Sequence, residues 1–315
     1  MAKLESIRVA YGQALAEYGS VNPDVVVLDA DVSASTQSHF FASRFPSRFF
    51  NVGVAEAGMV DVAVGLALGG KVPFVNTFAF LLALRAAEQI RTCVAYPKVN
   101  VKLAAHYCGL SDSFDGPTHH SICDVAPMRA LPNLTIVVPS DATEARRAVP
   151  AIAEYPGPVY VRLNRNELPV LFDDRHPFEI GKGSTLRTGG DVTLVATGLM
   201  VARALEAADE LSRDGIDARV LEMHTIKPLD LDLLLTAARE TGCLVTAEEH
   251  SVIGGLGSAV AEVLGESAPV PVVRVGIQDR FAETGPYFEL LDRYGLGVAD
   301  VVAAAKRAVA LKREG

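Results

Sequence analysis

The chain has 315 residues, 50% of them hydrophobic, and its 29 Lys and Arg against 38 Asp and Glu give a formal net charge of -9. A chain of this length and composition can bury substantial cores and suits two domains better than one. The acidic balance, without any run of basic residues, argues against a nucleic acid or an anionic membrane surface as partner, so we expect a small-molecule ligand.

The N-terminal segment MAKLESIRVAYGQALAEYG lacks the uninterrupted apolar core of a signal peptide, and the apolar stretch after Glu56 is broken by Asp61 and Lys71. We therefore expect a cytoplasmic protein without a membrane span. The four cysteines are too widely spaced to indicate a zinc site or a disulfide scaffold.

The first half of the chain alternates apolar, β-rich segments with helical patterns. It begins with a helix in which Ile7, Tyr11 and Leu15 share one face. The predicted strands are, in chain order, DVVVLDA, FFNVG, VPFVN, VNVKLAA, TIVVP and PVYVRL. Asp141 followed by Glu144 resembles a capping box at the start of another helix. This alternation is typical of a parallel α/β sheet.

A segment rich in proline and charge, NRNELPVLFDDRHPFEIGKGS, interrupts the alternation, and we place a linker near residues 166–188. A second set of apolar segments then follows, namely DVTLVATG, ARVLEM, LVTAEEH and PVVRVGI. The sequence thus predicts an α/β fold with two doubly wound domains, the first over residues 1–170 and the second over residues 185–315.

Candidate ligand contacts follow the predicted strands of the first half. Ser35, Glu56, Phe78 and His106 each lie at or after the end of a strand. Ligands of parallel α/β sheets gather beyond the carboxyl ends of the strands, so we expect these residues to share one edge. A carboxylate in a run as apolar as that around Glu56 is either exposed by local geometry or kept for chemistry, because an unpaired buried charge is costly.

The segment HYCGLSDSFDGPTHH places His106, Asp115, His119 and His120 on a loop with donors and acceptors for a polyhydroxylated substrate. The last two histidines are adjacent, and no acidic ligand lies at a helical spacing from them. Substrate contacts or ordinary loop histidines are therefore favoured over a metal site, and no metal ligand is predicted in this chain.

The segment GGLGSA, from Gly254 to Ala259, follows a predicted strand and precedes a helical pattern, as a dinucleotide fingerprint does. Val260 occupies the position of the third small residue, which favours a structural turn. The sequence has neither a P-loop nor a G-x-S-x-G elbow, which argues against a covalent hydrolase.

The spacing of several segments resembles that of the C-terminal subunit of a split transketolase. These segments are FFNVGVAEAGMVDVAVGLAL, VPFVNTFAF, AAHYCGLSDSFDGPTHH, LPNLTIVVPSDATEA, VYVRLNR, TAEEHSVIGGLGSAVAE and VGIQDRFAETG. A full-length transketolase has a diphosphate-binding, a pyrimidine-binding and a C-terminal domain, and this chain is similar to the last two. The resemblance implies that thiamine diphosphate is used to transfer a two-carbon ketol unit between sugar phosphates.

By this resemblance, Glu56 matches the glutamate with which the family contacts the aminopyrimidine ring of the cofactor. In the family, this contact promotes removal of a proton from the thiazolium carbon. Phe78 matches a residue that lines the pyrimidine pocket with an aromatic face. The next two aromatic positions of the family fall on Leu81 and Leu84, with Phe80 displaced by one residue. Whether Phe80 or Leu81 packs on the pyrimidine is therefore left open.

By the same resemblance, His106, Asp115 and His119 match residues that contact the sugar hydroxyls, and both histidines join Glu56 as expected catalytic residues. The loop from His106 to Asp115 is one residue longer than in the family pattern.

Three further residues, Arg8, Ser35 and Arg165, match positions that bind the substrate phosphate. Arg162 is the alternative to Arg165, but it lies earlier in the strand, whereas LNRNEL aligns with the family's arginine-containing segment.

The sequence contains no Gly-Asp-Gly, the family motif that holds, with a following Asn, the magnesium ion on the cofactor diphosphate. The resemblance therefore implies an N-terminal transketolase subunit as partner, which supplies most of the magnesium site, in a two-plus-two assembly. The donor and acceptor sugars stay open. Pentose and heptulose phosphates are the usual substrates of the family, and apulose 4-phosphate is a further candidate.

Three alternatives remain. A deoxyxylulose-phosphate-synthase-like protein normally carries its diphosphate domain in the same chain, and the beta subunit of a 2-oxoacid dehydrogenase complex lacks the DGPTHH pattern. A noncatalytic scaffold is the alternative of a different class, and the joint presence of Glu56, Asp115 and His119 argues against it.

Overall fold

The computed structural model describes residues 3–314, so residues 1, 2 and 315, at the outer ends of the two predicted domains, lie outside the described residues. The described chain forms two large sheets with apolar cores on both faces, which confirms the predicted α/β fold with two parallel-rich, doubly wound units.

The first sheet has seven strands. In spatial order they are β12 (Thr225–Lys227), β6 (Thr135–Val137), β7 (Val159–Leu163), β5 (Lys102–His106), β4 (Val72–Phe78), β2 (Val25–Asp29) and β3 (Phe49–Asn51). All neighbours pair in parallel except β12, which is antiparallel to β6. In β2, Val25 and Val27 enter one apolar cluster whereas Val26 and Leu28 enter the other. A strand buried on both faces in this way accounts for the continuous apolar run in its sequence.

The second sheet has five strands. In spatial order they are β14 (Val272–Ile277), β13 (Leu244–Ser251), β10 (Val192–Ala196), β11 (Ala218–Glu222) and β9 (Ser184–Arg187), of which only β9 runs antiparallel.

In chain order, the helices are α1 (Ile7–Val21), α2 (Ser33–Thr36), α3 (His39–Arg44), α4 (Glu56–Leu68), α5 (Ala87–Gln89), α6 (Val125–Ala130), α7 (Ala142–Glu154), α8 (Met200–Arg213), α9 (Leu231–Thr241), α10 (Leu256–Ser267), α11 (Tyr287–Arg293) and α12 (Val298–Glu314). Most of the helices lie between these strands along the chain, whereas α1 precedes β2, and α11 and α12 follow β14. As predicted, Asp141 caps α7 by accepting the N–H of Glu144 at 2.8 Å. Among residues 3–314, no helix is both long and apolar enough to cross a membrane.

The predicted linker over residues 166–188 is partly regular structure. Its first residues form β8 (Glu167–Pro169), which pairs with β1 (Leu4–Ser6), and its last residues form β9. Strands of three or four residues carry too little alternation to be told from a loop, so the sequence pattern did not predict them. Strand β12 was missed for the same reason, although it carries the second half of the chain onto the edge of the first sheet.

The segment after β4 is not a single regular α-helix. Two π-helical turns, Leu81–Arg85 and Ile90–Ala95, flank the short α5. Turns of this kind are rare and are found frequently at functional sites, which makes the region that follows Phe78 a candidate.

The GGLGSA segment is a structural turn. The carboxylate of Glu248 accepts hydrogen bonds from the N–H groups of Leu256 and Gly257, at 2.7 and 2.8 Å. It thus pairs backbone donors that the start of α10 would otherwise leave without a partner. A Cβ at Gly255 would lie 2.0 Å from Glu248 Oε2. The helix end that would bind a phosphate in a dinucleotide site is thus capped by the chain itself.

Candidate active site

Glu56 is the first residue of α4, and only 1% of it is exposed. Its Oε2 accepts a hydrogen bond from Arg85 Nη1 at 2.9 Å, whereas the side chain of Arg85 is 53% exposed. The helix dipole also favours a carboxylate at this position. The buried carboxylate is therefore paired by the first π-helical turn, with a cation that solvent can reach.

Four rings, those of Phe78, Phe80, Tyr107 and His119, form what we call the aromatic group. Phe78 stacks on Tyr107 with ring centroids 4.7 Å apart, and Phe80 lies nearly parallel to Phe78 at 6.5 Å. His119 meets Phe80 edge-on at 5.3 Å. Phe78, Phe80 and His119 are half-buried, so they offer accessible aromatic faces, which suit a planar heteroaromatic ring.

The geometry favours Phe80 over Leu81 as the second ring contact. Phe80 belongs to the aromatic group, whereas Leu81 is half-buried at the start of the π-helical turn and Leu84 is 55% exposed. Both assignments stay predictions.

The three predicted phosphate ligands converge, although they are far apart in the sequence. Arg8 Nη1 donates to the backbone carbonyl of Ser35 and to the hydroxyl of Tyr107, both at 2.9 Å, and Arg8 Nε donates to the carbonyl of Arg165 at 3.1 Å. The guanidinium carbons of Arg8 and Arg165 lie 5.4 and 4.9 Å from the centre of the Tyr107 ring. Two guanidinium groups on one aromatic ring form a cationic patch, which suits a phosphate or a similar oxyanion.

The loop of residues 107–120, which we call the substrate loop, already supplies carboxylates to this patch. Arg165 forms a close ion pair with the buried Asp112 and lies 3.6 Å from Asp115, whose side chain is 56% exposed. Burial, and then the neighbouring Asp115, raise the pKa of Asp112 to about 7. An incoming anion would compete with these two carboxylates for Arg165.

Arg162, the alternative phosphate ligand, is instead part of the core. It is 3% exposed, and its Nε and Nη2 donate to Asp124 at 2.9 and 3.1 Å. Its Nη2 also donates to the carbonyls of Ser121 and Glu249. A buried arginine with this set of partners is held in place, so the geometry favours Arg165.

His106 does not reach the candidate active site. Its ring is fully buried, with Nε2 3.3 Å from Asn76 Oδ1 and the ring of Tyr11 edge-on at 5.2 Å. Burial, and then the charge of Arg8, lower the pKa of His106 to about 3. A ring that has no accessible surface cannot contact a sugar without a rearrangement of β5, so the structure does not support the predicted sugar-binding and catalytic roles. Its neighbour Tyr107 belongs to the aromatic group and stacks on Phe78.

The second domain positions the substrate loop through Glu249, a buried residue of β13. Its carboxylate accepts hydrogen bonds from Leu110 N–H at 2.7 Å, Tyr287 hydroxyl at 2.9 Å and Asn164 Nδ2 at 3.1 Å. Gly109 has a φ of +61°, and a Cβ there would lie 2.3 Å from Glu249 Cδ. The close approach of loop and carboxylate therefore requires glycine.

Glu249 should give the chain a measurable pH dependence of stability. Burial raises its pKa to about 7, from an ordinary value of 4.5. The folded chain thus holds this proton more tightly than the unfolded chain. The protonated carboxyl group therefore stabilises the folded chain fully below about pH 4, and this stabilisation is lost as the pH rises through 7. We expect this group to lower the free energy of unfolding by roughly 3 kcal/mol between pH 4 and pH 8.

Denaturant unfolding of the parent chain and of Glu249→Gln, at pH 5 and pH 8, checks this. Relative to Glu249→Gln, the free energy of unfolding of the parent should be lower at pH 8 than at pH 5. A difference that is the same at both pH values contradicts the assignment.

Sequence reasoning did not single out Arg85, Tyr107, Asp112 or Glu249. The extra residue in the loop after His106 was the available signal for Tyr107, and Asp112 lies in the loop already identified. No local sequence pattern marks Arg85 or Glu249 as a functional residue, because their partners Glu56 and Leu110 lie 29 and 139 residues away in the sequence.

Two transketolase family descriptions and several known proteins match this chain. The family described as "Transketolase, pyrimidine binding domain" matches residues 5–170, and "Transketolase, C-terminal domain" matches residues 181–301. The 6-deoxy-6-sulfo-D-fructose transketolase subunit SqwH of Clostridium sp. (strain MSTE9) is 45% identical over 96% of this chain and 95% of that protein. A subunit of the apulose-4-phosphate transketolase of Phocaeicola vulgatus is 39% identical over 92% of this chain and 93% of that protein.

A solved structure described as "Split gene transketolase, inactive beta4 tetramer" is 51% identical, with a TM-score of 0.89 over 98% of this chain and 99% of that chain. In contrast, this chain spans 48% of the 1-deoxy-D-xylulose-5-phosphate synthase of Desulfitobacterium hafniense, at 36% identity. The chain therefore belongs to the transketolase family, as a member that carries the pyrimidine-binding and C-terminal domains and is similar over nearly its whole length to subunits of split transketolases.

Proposed function

We propose that this chain is the subunit of a two-subunit transketolase that binds the pyrimidine half of thiamine diphosphate and the sugar-phosphate substrate, for transfer of a two-carbon ketol unit. The observation that carries this proposal is the cationic patch of Arg8 and Arg165 on the ring of Tyr107, which itself stacks on Phe78. One continuous surface thus offers a site for an oxyanion beside aromatic faces for a flat ring.

The residues present fit the pyrimidine half of the cofactor. When bound, thiamine diphosphate supplies the carbon nucleophile that carries the ketol unit. Glu56 is buried and paired with the turn that directly follows Phe78 and Phe80, so its carboxylate is placed to hold a proton at a ring nitrogen. The two phenylalanines offer their faces to the ring.

On the substrate side, the exposed residues of the substrate loop take the remaining roles. Asp115 and the half-buried His119 would contact the sugar hydroxyls, with His119 as a catalytic proton carrier. Arg8, Ser35 and Arg165 would surround the phosphate.

An N-terminal partner subunit would complete the site, with the magnesium ion and the diphosphate held mainly by that subunit. Apolar side chains near Glu56 in the chain are exposed, by 70% at Val54 and 48% at Val62. Gly58 and Gly65 of α4 have open space where a Cβ would stand, so another backbone can approach this helix closely. These features support burial of α4 in a two-plus-two assembly, and a relative described as an inactive beta4 tetramer agrees with a chain that needs a partner.

The substrate class follows from the cationic patch. The two subunit relatives are named for sugars that end in a phosphate or a sulfonate, both of them oxyanions. We therefore infer a terminally anionic ketose donor, with pentose or heptulose phosphates and apulose 4-phosphate as candidates. A noncatalytic scaffold, in contrast, needs neither the patch nor Glu56. The cytoplasmic location stays a prediction.

Replacing Arg165 by Ala, with the partner present, should lower the catalytic efficiency for phosphorylated donors by roughly 2 to 4 kcal/mol in transition-state binding, about 30- to 900-fold. The reason is the loss of charge-assisted hydrogen bonds to the phosphate. Hydroxypyruvate, which has no phosphate, should be affected much less. We would measure kcat/KM for both donors, and repeat the comparison for Arg8→Ala and Ser35→Ala.

Arg307→Ala, at an exposed position of α12, is the matched control and should leave both donors unchanged. Equal losses for both donors in the Arg165 variant would mean that this residue supports the fold or the cofactor. Absence of ketol transfer from every phosphorylated donor, with the partner present, would overturn the proposed function itself.

A further inference from the structure

Three side chains outside the candidate active site meet between the two sheets. They are Glu144 in α7, His176 in the segment between β8 and β9, and Glu222 at the end of β11, and we call them the interdomain cluster. One ligand atom of each lies within 4.8 Å of the other two. The two glutamates are fully buried, and the side chain of His176 is 11% exposed.

Each carboxylate of the cluster has one satisfied oxygen. Ser140 donates its N–H to Glu144 Oε2 at 2.8 Å and its hydroxyl to Glu222 Oε1 at 2.6 Å. Within residues 3–314, Glu144 Oε1, Glu222 Oε2 and His176 Nε2 have no hydrogen-bond partner. Buried polar atoms without partners are costly and rare, and here three of them face one point.

The distances fit a metal ion better than a hydrogen bond. His176 Nε2 lies 3.4 Å from Glu144 Oε1 and 3.6 Å from Glu222 Oε2. Good N–H···O hydrogen bonds are shorter, at about 2.7–3.2 Å. The edge of a zinc tetrahedron with ligand bonds of about 2.0–2.2 Å is about 3.4 Å, which agrees with both distances.

The charges of the cluster also fit a divalent cation. Without a metal ion, neutralising both buried carboxylates takes two protons, one on His176 and one on Glu144, whose pKa burial raises to about 8. A divalent ion bound by both carboxylates and a neutral imidazole leaves no net charge, which removes the cost of burying a charge. An imidazole nitrogen among the ligands favours zinc over magnesium or calcium.

The imidazole is positioned by contacts that do not involve the cluster. The ring of His176 stacks on that of Phe172, with centroids 3.7 Å apart. Phe172 in turn donates its N–H to Asp141 Oδ2 at 3.0 Å and accepts a hydrogen bond from Thr143 Oγ1 at 3.1 Å. Such supporting contacts orient the ligand before the ion binds.

We propose that Glu144, His176 and Glu222 bind one zinc ion, with water as the fourth ligand. The ion fastens the segment between β8 and β9 to the first-sheet helix α7 and to the second sheet, so its role is structural. The exposed edge of His176 provides a path from solvent. The sequence predicted no metal ligand in this chain, because these residues are far apart along it.

The test uses the full chain, purified after treatment with EDTA, dialysed against zinc and analysed by elemental mass spectrometry. The parent should keep one zinc per chain, and zinc should raise its Tm by about 5 °C over the EDTA-treated chain. Glu222→Gln and His176→Lys should each lose the bound zinc and the shift in Tm. The lysine variant keeps a cation beside the carboxylates but removes the imidazole ligand, so it separates metal binding from a simple ion pair.

His39→Asn, which changes a histidine of α3 outside the cluster, is the control and should keep both the zinc and the shift. The proposal is overturned if the parent keeps no more zinc than His176→Lys, since retained zinc would then lie elsewhere. It is equally overturned if zinc leaves the Tm of the parent unchanged, because an ion bound by this cluster must stabilise the folded chain.

Discussion

Turnover by the two-subunit complex should fall by about 10²- to 10⁴-fold when Glu56 is replaced by Gln, the range typical for loss of an acid-base residue. Glutamine keeps the size of the side chain but cannot hold a proton at the ring nitrogen of the cofactor. Arg85 would lose its ion-pair partner, yet its side chain is 53% exposed and stays solvated, so the fold should be kept. We would measure kcat together with the rate of hydrogen-deuterium exchange at the thiazolium carbon, and both should fall in parallel.

Glu210→Gln, at an exposed position of α8, provides the matched control with the same chemical change. Thermal unfolding of each variant shows whether the fold is intact. If the exchange rate of the Glu56 variant equals that of the parent, the proposed role of Glu56 is refuted, whatever the effect on turnover.

Without its partner, the chain should show no measurable transketolase activity and should bind thiamine diphosphate and magnesium poorly. The sequence has no Gly-Asp-Gly, so we expect the contacts to the diphosphate and its metal to come from another subunit. We expect the dissociation constant of the cofactor to be at least about 100-fold higher for the chain alone than for the complex, a difference of about 3 kcal/mol. Titration calorimetry in the presence of magnesium measures both values.

Adding the N-terminal subunit to the same preparation should restore tight binding and turnover, which controls for inactive protein. Tight, magnesium-dependent binding of the cofactor by this chain alone would contradict the split-subunit proposal. It would leave the assignment of the aromatic group untouched, since those residues are expected to contact the pyrimidine in either case.

The local patterns of the sequence determined the framework of the fold. The apolar run of β2 predicted a strand of a parallel sheet, and Asp141 predicted the start of α7. The same patterns placed Glu56 and Phe78 after strand ends, because all parallel strands present their carboxyl ends at one edge of the sheet. These inferences need only the periodicity of the backbone and its capping groups, which neighbouring residues set.

The partners of individual side chains were decided only by the tertiary structure. The sequence could not show that Arg85 pairs with Glu56, nor that Tyr107 rather than His106 stacks on Phe78. His106 is the last residue of β5 and its ring lies in the core, whereas Tyr107 follows the strand with a φ of +62°. This change of backbone direction between two neighbouring residues places the ring of Tyr107 against Phe78.

The interdomain cluster could be identified only from the tertiary structure. Glu144 lies in helix α7, His176 lies in the irregular segment between β8 and β9, and Glu222 ends strand β11 of the second sheet. In the sequence, Glu144 is part of a capping box, His176 lies in the predicted linker and Glu222 lies in a predicted strand, and none of these local patterns indicates a metal site. Local periodicity specifies which face of an element is buried, but which two faces meet is specified by how the sheets and helices pack, and that is a property of the whole chain.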